Sequence, residues 1–132
     1  KLVPYQKVLI FQVDSLLLRT GVDLFEGYDF CGACWKHINK QVGNGGLSMR
    51  TNDLMKEIIR KFKYNPVHHG NEDVFFSNNI ESFGGIKPSC EVANHFSVET
   101  MYYDKPIGVH AADKWLTREQ LTTIYNNSIN EL

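Results

Sequence analysis

The 132-residue sequence predicts an α/β fold in which a mixed sheet is flanked by helices. Three observations carry this. Val8–Val13 is a short apolar run rich in β-formers, Leu54, Met55, Ile58, Ile59 and Phe62 recur at helical spacing, and the stretch after Leu116 opens with helix-start signals. The length is that of one domain, with one core. At 42% hydrophobic and 12% aromatic, the composition excludes a disordered chain.

Val8–Val13 alternates little, which predicts a strand buried on both faces that stops at Asp14-Ser15. Ligands of open α/β sheets bind at the carboxyl ends of strands, so Asp14 stands in a favoured place. Leu24–Gly32 reads as a second strand with a turn, and Val42–Arg50 as a glycine-rich bend running into polar–apolar alternation. Asp53–Phe62 reads as an amphipathic helix behind Thr51-Asn52-Asp53, which can cap it. A second helix runs from Glu72 to about Phe83, with Phe76, Ile80 and Phe83 on one face. In the last helix Thr117 and Gln120 form a capping box, Leu116 and Leu121 a staple, and Leu121, Ile124, Tyr125 and Ile129 a buried stripe.

Fourteen Lys and Arg against fifteen Asp and Glu are spread without a basic block, so nucleic acid is not an expected partner. The longest strongly apolar run falls far short of the roughly 20 residues that cross a bilayer, so no membrane segment is expected within the chain. Three cysteines at low density predict mostly reduced thiols and a reducing compartment such as the cytoplasm.

Gly43, Gly45 and Gly46 remove Cβ atoms where the backbone must turn or be closely approached. Asn44-Gly45 is a common turn signal, so the segment is either a turn or a loop bared for a ligand; it has neither dinucleotide-binding nor P-loop spacing. Glu72-Asp73 at a helix start either complements the amide dipoles or supplies a general base, desolvated by the neighbouring phenylalanines. Asp14 and His110 are the best metal pair, since an ion holding a diphosphate takes most ligands from phosphate and water, and mixed carboxylate and imidazole ligation suits manganese. A lone histidine is more often a hydrogen-bonded structural residue. Cys31 and Cys34 have the spacing of a redox dithiol or a zinc knuckle. No helix start is announced beside them and no second Cys/His pair exists, which favours packing cysteines.

FQVDS at 11–15, YDFCGACW at 28–35, VGNGGLSMR at 42–50, NEDVFFS at 71–77, HFSVE at 95–99 and PIGVH at 106–110 follow one another over nearly the whole chain. This ordered set resembles an uncharacterised group of glycosyltransferase-like domains of the GT-A type. The resemblance implies a partial GT-A-like mixed sheet and transfer of a sugar from a nucleotide-sugar donor to a glycan, protein or small-molecule acceptor hydroxyl. Asp14 matches the second acid of the family's Asp-x-Asp motif and His110 its late metal histidine, with Mn2+ as the implied ion. Asn44, Gly45 and Gly46 match the loop against the donor sugar, and Gln12 and Arg50 are expected on the same donor side. Asp73 matches the base of an inverting displacement, with Glu72 binding sugar hydroxyls.

Two departures matter. Gln12 stands where the first acid is usual, removing one charge from the metal site, so that Arg50 or Lys114 would share phosphate neutralisation. The chain also opens almost directly on the strand carrying Asp14, where GT-A domains begin with a nucleotide-binding half, so it reads as a segment of a longer domain. Such a segment exposes a sheet edge that invites self-association. The rival readings are a non-catalytic sugar or nucleotide-sugar binding module and a thiol-disulfide enzyme using Cys31 and Cys34.

Overall fold

A computed structural model of the chain describes residues 4–129, and its strands form three small sheets. In chain order, β1 (Lys7–Phe11) and β2 (Ser15–Leu17) are followed by β3 (Phe30–Cys31), β4 (Cys34–Trp35), β5 (Gln41–Val42) and β6 (Leu47–Thr51). Next come α1 (Asn52–Phe62), α2 (Pro66–His69), α3 (Glu72–Asn79), α4 (Cys90–Phe96), β7 (Ser97–Val98), β8 (Gly108–His110) and α5 (Arg118–Ile129). The first sheet is antiparallel, ordered β1-β6-β3; the second is mixed, ordered β2-β8-β7; β4 and β5 form a separate pair.

The central strand of the first sheet is β6, and its alternation sorts the core. Leu47 and Met49 join Phe25, Cys31, Phe96 and Ile107 on one face. On the other, Phe30 packs with Met55 and Ile58 of α1 and with Phe75, Phe76 and Ile80, which seats α3 against the sheet. The second sheet has its own core, in which Val98 and Val109 meet Ala112, in the 3-10 turn Ala112–Lys114, and Ile124 of α5. The mixed α/β class is as predicted. No helix among the described residues is long and apolar enough to cross a membrane.

Several elements differ from expectation. The Val8–Val13 run is not a strand buried on both faces: β1 forms the sheet edge, and Leu9 and Phe11 are 38% and 51% exposed. Its β-rich composition reflects pairing with β6 on one flank; the other flank meets no strand among the described residues. Leu24–Gly32 is a strand only at Phe30–Cys31, because Gly21, at φ 103°, turns the chain into a 3-10 helix over Val22–Phe25. The helix expected from Glu72 to Phe83 ends at Asn79, and a 3-10 turn, Glu81–Phe83, closes on Gly84 at φ 73°. Thr51 precedes α1 as expected but makes no side-chain cap; its hydroxyl donates to Asp29 Oδ1 at 2.7 Å.

At α5 the capping box forms in full, Thr117 N–H reaching Gln120 Oε1 at 2.9 Å and Gln120 N–H reaching Thr117 Oγ1 at 3.2 Å. Ile124 is buried as expected, whereas Ile129, in the last turn, is 65% exposed. The sequence reading contained no α4, although Pro88-Ser89 announces it: Ser89 Oγ accepts from Val92 N at 3.3 Å.

Candidate functional site

Between β1 and β2 the chain steps from the first sheet to the second through a tight turn, Ser15 N–H donating to Gln12 carbonyl at 3.0 Å. Asp14 lies in that turn, and its Oδ1 is 3.2 Å from His110 Nε2 at the end of β8. Its other oxygen meets Lys114 Nζ at 3.1 Å, and this bond, above all, holds the carboxyl below the usual aspartate range. Ala111 N–H donates to Asp14 carbonyl at 3.0 Å; the following turn is held with Ala111 at φ 47°, a left-handed conformation unfavourable for alanine.

Across from this pair, the glycine segment is buried throughout, from Val42 to Arg50. Asn44 adopts φ 66°, and its side-chain carbonyl accepts from Gly46 N at 2.9 Å and Leu47 N at 3.2 Å, so the segment is an Asn-stabilised turn. With that oxygen engaged, the Asn44 amide nitrogen faces His110 Nδ1 at 2.9 Å. The glycines are needed for space. A Cβ on Gly46 would run into the His110 ring, one on Gly45 would lie 2.5 Å from Glu72 Oε1, and one on Gly43 would enter the Trp35 ring. The bared backbone is thus covered by the protein's own side chains, and it brings the imidazole and the acidic pair onto one loop.

The acidic pair opens α3. Asp73 Oδ2 accepts from Gly45 N at 2.9 Å and its Oδ1 from Val74 N at 2.8 Å. Glu72 receives both terminal nitrogens of Arg50, at 2.7 and 3.1 Å. The Arg50 side chain is only 5% exposed against 45% for Glu72; it donates through Nε to Ser48 Oγ at 3.0 Å and lies over the Phe30 and Phe76 rings. Arg50, expected on the donor side, is therefore committed to Glu72 and the core. Gln12 enters through its backbone, N–H to Gly46 carbonyl at 2.8 Å, while its side chain is exposed.

Sequence reasoning missed Glu99. Its Oε2 accepts from Trp35 Nε1 at 2.8 Å and its Oε1 lies 3.7 Å from His110 Nδ1. Burial pushes the Glu99 carboxyl up, but the neighbouring His110 imidazole and Asn44 amide and the Trp35 N–H outweigh it and leave the group below its ordinary value. His110 is held above its ordinary value, first by the Glu99 carboxylate on its Nδ1 side and then by the charge of Asp14, against the opposing effect of burial. The signal available was the HFSVE segment, which ends on this carboxylate just after β7.

The residues present fit a two-point metal site. Asp14 Oδ1 and His110 Nε2 are close enough to serve as neighbouring ligands, while Nδ1 faces the Asn44 amide nitrogen at 2.9 Å and the Glu99 carboxylate stands 3.7 Å behind it. Among the described residues no group of three or more His, Cys, Asp or Glu could hold an ion, so this pair alone would supply protein ligands. A 250 Å³ cavity opens on the Asp14 side, between Val13 and Tyr125.

The cysteine expectations are corrected. Cys34 is bonded to Cys90, with Cα atoms 5.2 Å apart, so the thiols are not mostly reduced and Cys34 is not the partner of Cys31. Cys31 is free and buried, and burial pushes its thiol far up, the opposite of a reactive cysteine. The thiol-disulfide reading loses its pair. The packing reading holds for Cys31, on the core face of β3, while Cys34 ties β4 to the start of α4.

Asp14, His110, Asn44, Gly46, Gly45, Asp73, Glu72 and Arg50 thus form one unbroken row of contacts. No curated protein and no solved structure matches the chain. One family does, over residues 1–110, a span that takes in the whole row from Asp14 to His110: the chain belongs to the family described as protein of unknown function DUF5672.

Proposed function

We propose that this chain is the cation-binding and acceptor-side part of a GT-A-like glycosyltransferase, moving a sugar from a nucleotide-sugar donor to an acceptor hydroxyl with inversion. The observation that carries the reading is the row itself, in which a candidate cation pair and a carboxylate are joined through two adjacent backbone units, Gly46 and Gly45. Asp14 and His110 would hold the ion, with the imidazole kept with Nε2 outward by the Asn44 amide at Nδ1. A divalent ion supplies neutralisation of the charge on a departing diphosphate. Asp73, fixed by the Gly45 and Val74 amides, takes the acceptor proton, and Glu72, steadied by Arg50, offers a half-exposed carboxylate to sugar hydroxyls.

A second reading, a sugar-nucleotide binding module without turnover, is favoured by one observation: the Arg50 guanidinium is consumed by Glu72 and does not reach a leaving phosphate. Hydrolysis and transfer with a panel of nucleotide sugars plus Mn2+ separates the two. Turnover lost in Asp14→Ala and Asp73→Asn but kept in Cys31→Ala supports the transferase. Binding without turnover, indifferent to chelator, overturns it in favour of the module.

A further inference from the structure

A second cavity, of 420 Å³, is walled by residues that the row does not use. It lies between the loop after β4, the loop after β7 and the entry to α5, with Lys36, Lys40, Thr100, Tyr102, Trp115 and Gln120 around it. Trp115 is 54% exposed although the imidazole of His37 stacks on it, ring centres 5.4 Å apart and planes within 8°. One indole face is therefore covered by the protein and the remainder is left to the cavity. Tyr102 adds a second exposed ring. Neither Lys36 nor Lys40 has a side-chain hydrogen bond or ion pair among the described residues, and no acidic residue lines the cavity.

An exposed tryptophan of this kind has no role in the core: it leaves apolar surface in water that a flat ligand would cover. The electron-rich indole face attracts the weakly positive C–H face of a pyranose ring. Two unpaired ammonium groups beside it add attraction for negative charge and, by themselves, select against neutral sugars. We infer that this cavity binds an anionic sugar, a uronate or phosphorylated pyranose, with the ring on Trp115 and the acid group at Lys36 and Lys40. Lys40 also walls a neighbouring 460 Å³ cavity, which gives a second sugar unit a place to continue. The inference concerns binding alone and stands whether or not the Asp14–Asp73 row catalyses transfer.

The test uses isothermal titration calorimetry, whose signal does not depend on Trp115, with Trp115 emission as a second readout in variants that keep it, since Trp35 is buried. The whole chain is titrated, without metal or donor, with a glucuronate-containing tetrasaccharide, glucose 1-phosphate, a neutral chito-tetrasaccharide and uridine monophosphate. Saturable change with the two anionic sugars is expected, weakened about tenfold or more in Lys36→Ala/Lys40→Ala and lost in Trp115→Ala. All three side chains are at the surface, and unchanged thermal unfolding confirms that the variants fold. No saturation with either anionic sugar, equal binding of the neutral tetrasaccharide, or tighter binding of the nucleotide overturns the proposal. Binding of uridine diphosphate with Mn2+ is measured on the same variants and is expected to be unchanged, so its loss in the unaltered protein counts against the transferase reading and not against this site.

Discussion

The Asp14 carboxylate and the His110 imidazole come from opposite ends of the chain and meet at 3.2 Å, with Glu99 placed on the far side of the same ring. A histidine held between two carboxylates is a charge-coupled unit, so its consequences are electrostatic first.

His110 sits above its ordinary value of 6.5, so the stability it contributes is fully present below that value and is lost as pH rises through its folded value. Glu99 and Asp14 sit below 4.5 and 3.8, so their contributions are present above those values and are lost as pH falls through the folded ones. Thermal melts across pH are expected to show the cluster's contribution at its fullest between about 4.5 and 6.5. In His110→Gln the decline on the alkaline side should flatten; an unchanged profile would remove the coupling.

Gly46→Ala drives a methyl group into the His110 ring, and Gly45→Ala meets the Glu72 carboxylate. Overpacking of this kind costs about 1–3 kcal/mol, and both variants should melt below the unaltered protein. Gly27→Ala, where a Cβ meets nothing within 4 Å, is the control and should differ by less than about 0.5 kcal/mol. Equal melting of all three would show that the loop does not press on the ring.

In the Arg50–Glu72 pair the arginine is buried and the glutamate half exposed, so the two single deletions are unequal. Glu72→Gln leaves a buried guanidinium without its counter-charge, a loss that water around the half-exposed site keeps below that of a fully buried pair, whereas after Arg50→Met the freed carboxylate turns to water. Denaturant melts should therefore rank Glu72→Gln as the more damaging. The reverse order would mean that Arg50 matters mainly through its stacking on Phe30 and Phe76.

The Cys34–Cys90 bond spans 56 residues, and closing a loop of that length removes unfolded-state entropy worth about 4 kcal/mol. Reduction, or Cys34→Ser with Cys90→Ser, should lower stability by up to that amount. Alkylation of the native, unreduced chain should leave Cys31 unlabelled until the protein unfolds. A thiol titrating before unfolding contradicts the buried position of Cys31.

Where a local rule decided the outcome, the sequence was readable. The capping box of α5 and the helix of α1 depend on residues three or four apart, and both formed, although of the α1 stripe only Met55 and Ile58 are buried while Ile59 and Phe62 are exposed. Likewise the three glycines pointed to a close approach, but the approaching groups, His110 and Glu72, are far away in the chain and left no local trace. Glu99 escaped for the same reason: a carboxylate matters here because Trp35 and His110 converge on it, a tertiary fact. The edge position of β1 was misread because an apolar run looks alike whether its second flank is covered or open. Cys90 looked solitary because a 56-residue separation carries no spacing rule.

Finally, the row crosses the seam between two sheets that each have their own core. Polar links that stitch it include Gln12 and Ser15 onto the Gly46 carbonyl and Asn44 onto His110, beside the packing of Leu47 against Gly108. The spacing of Asp14, His110 and Gly46 therefore works as a gauge of how the sheets register against each other. A substitution deep in either core, far from any candidate chemistry, acts on the cluster by shearing that seam, and a ligand spanning it acts as a rivet.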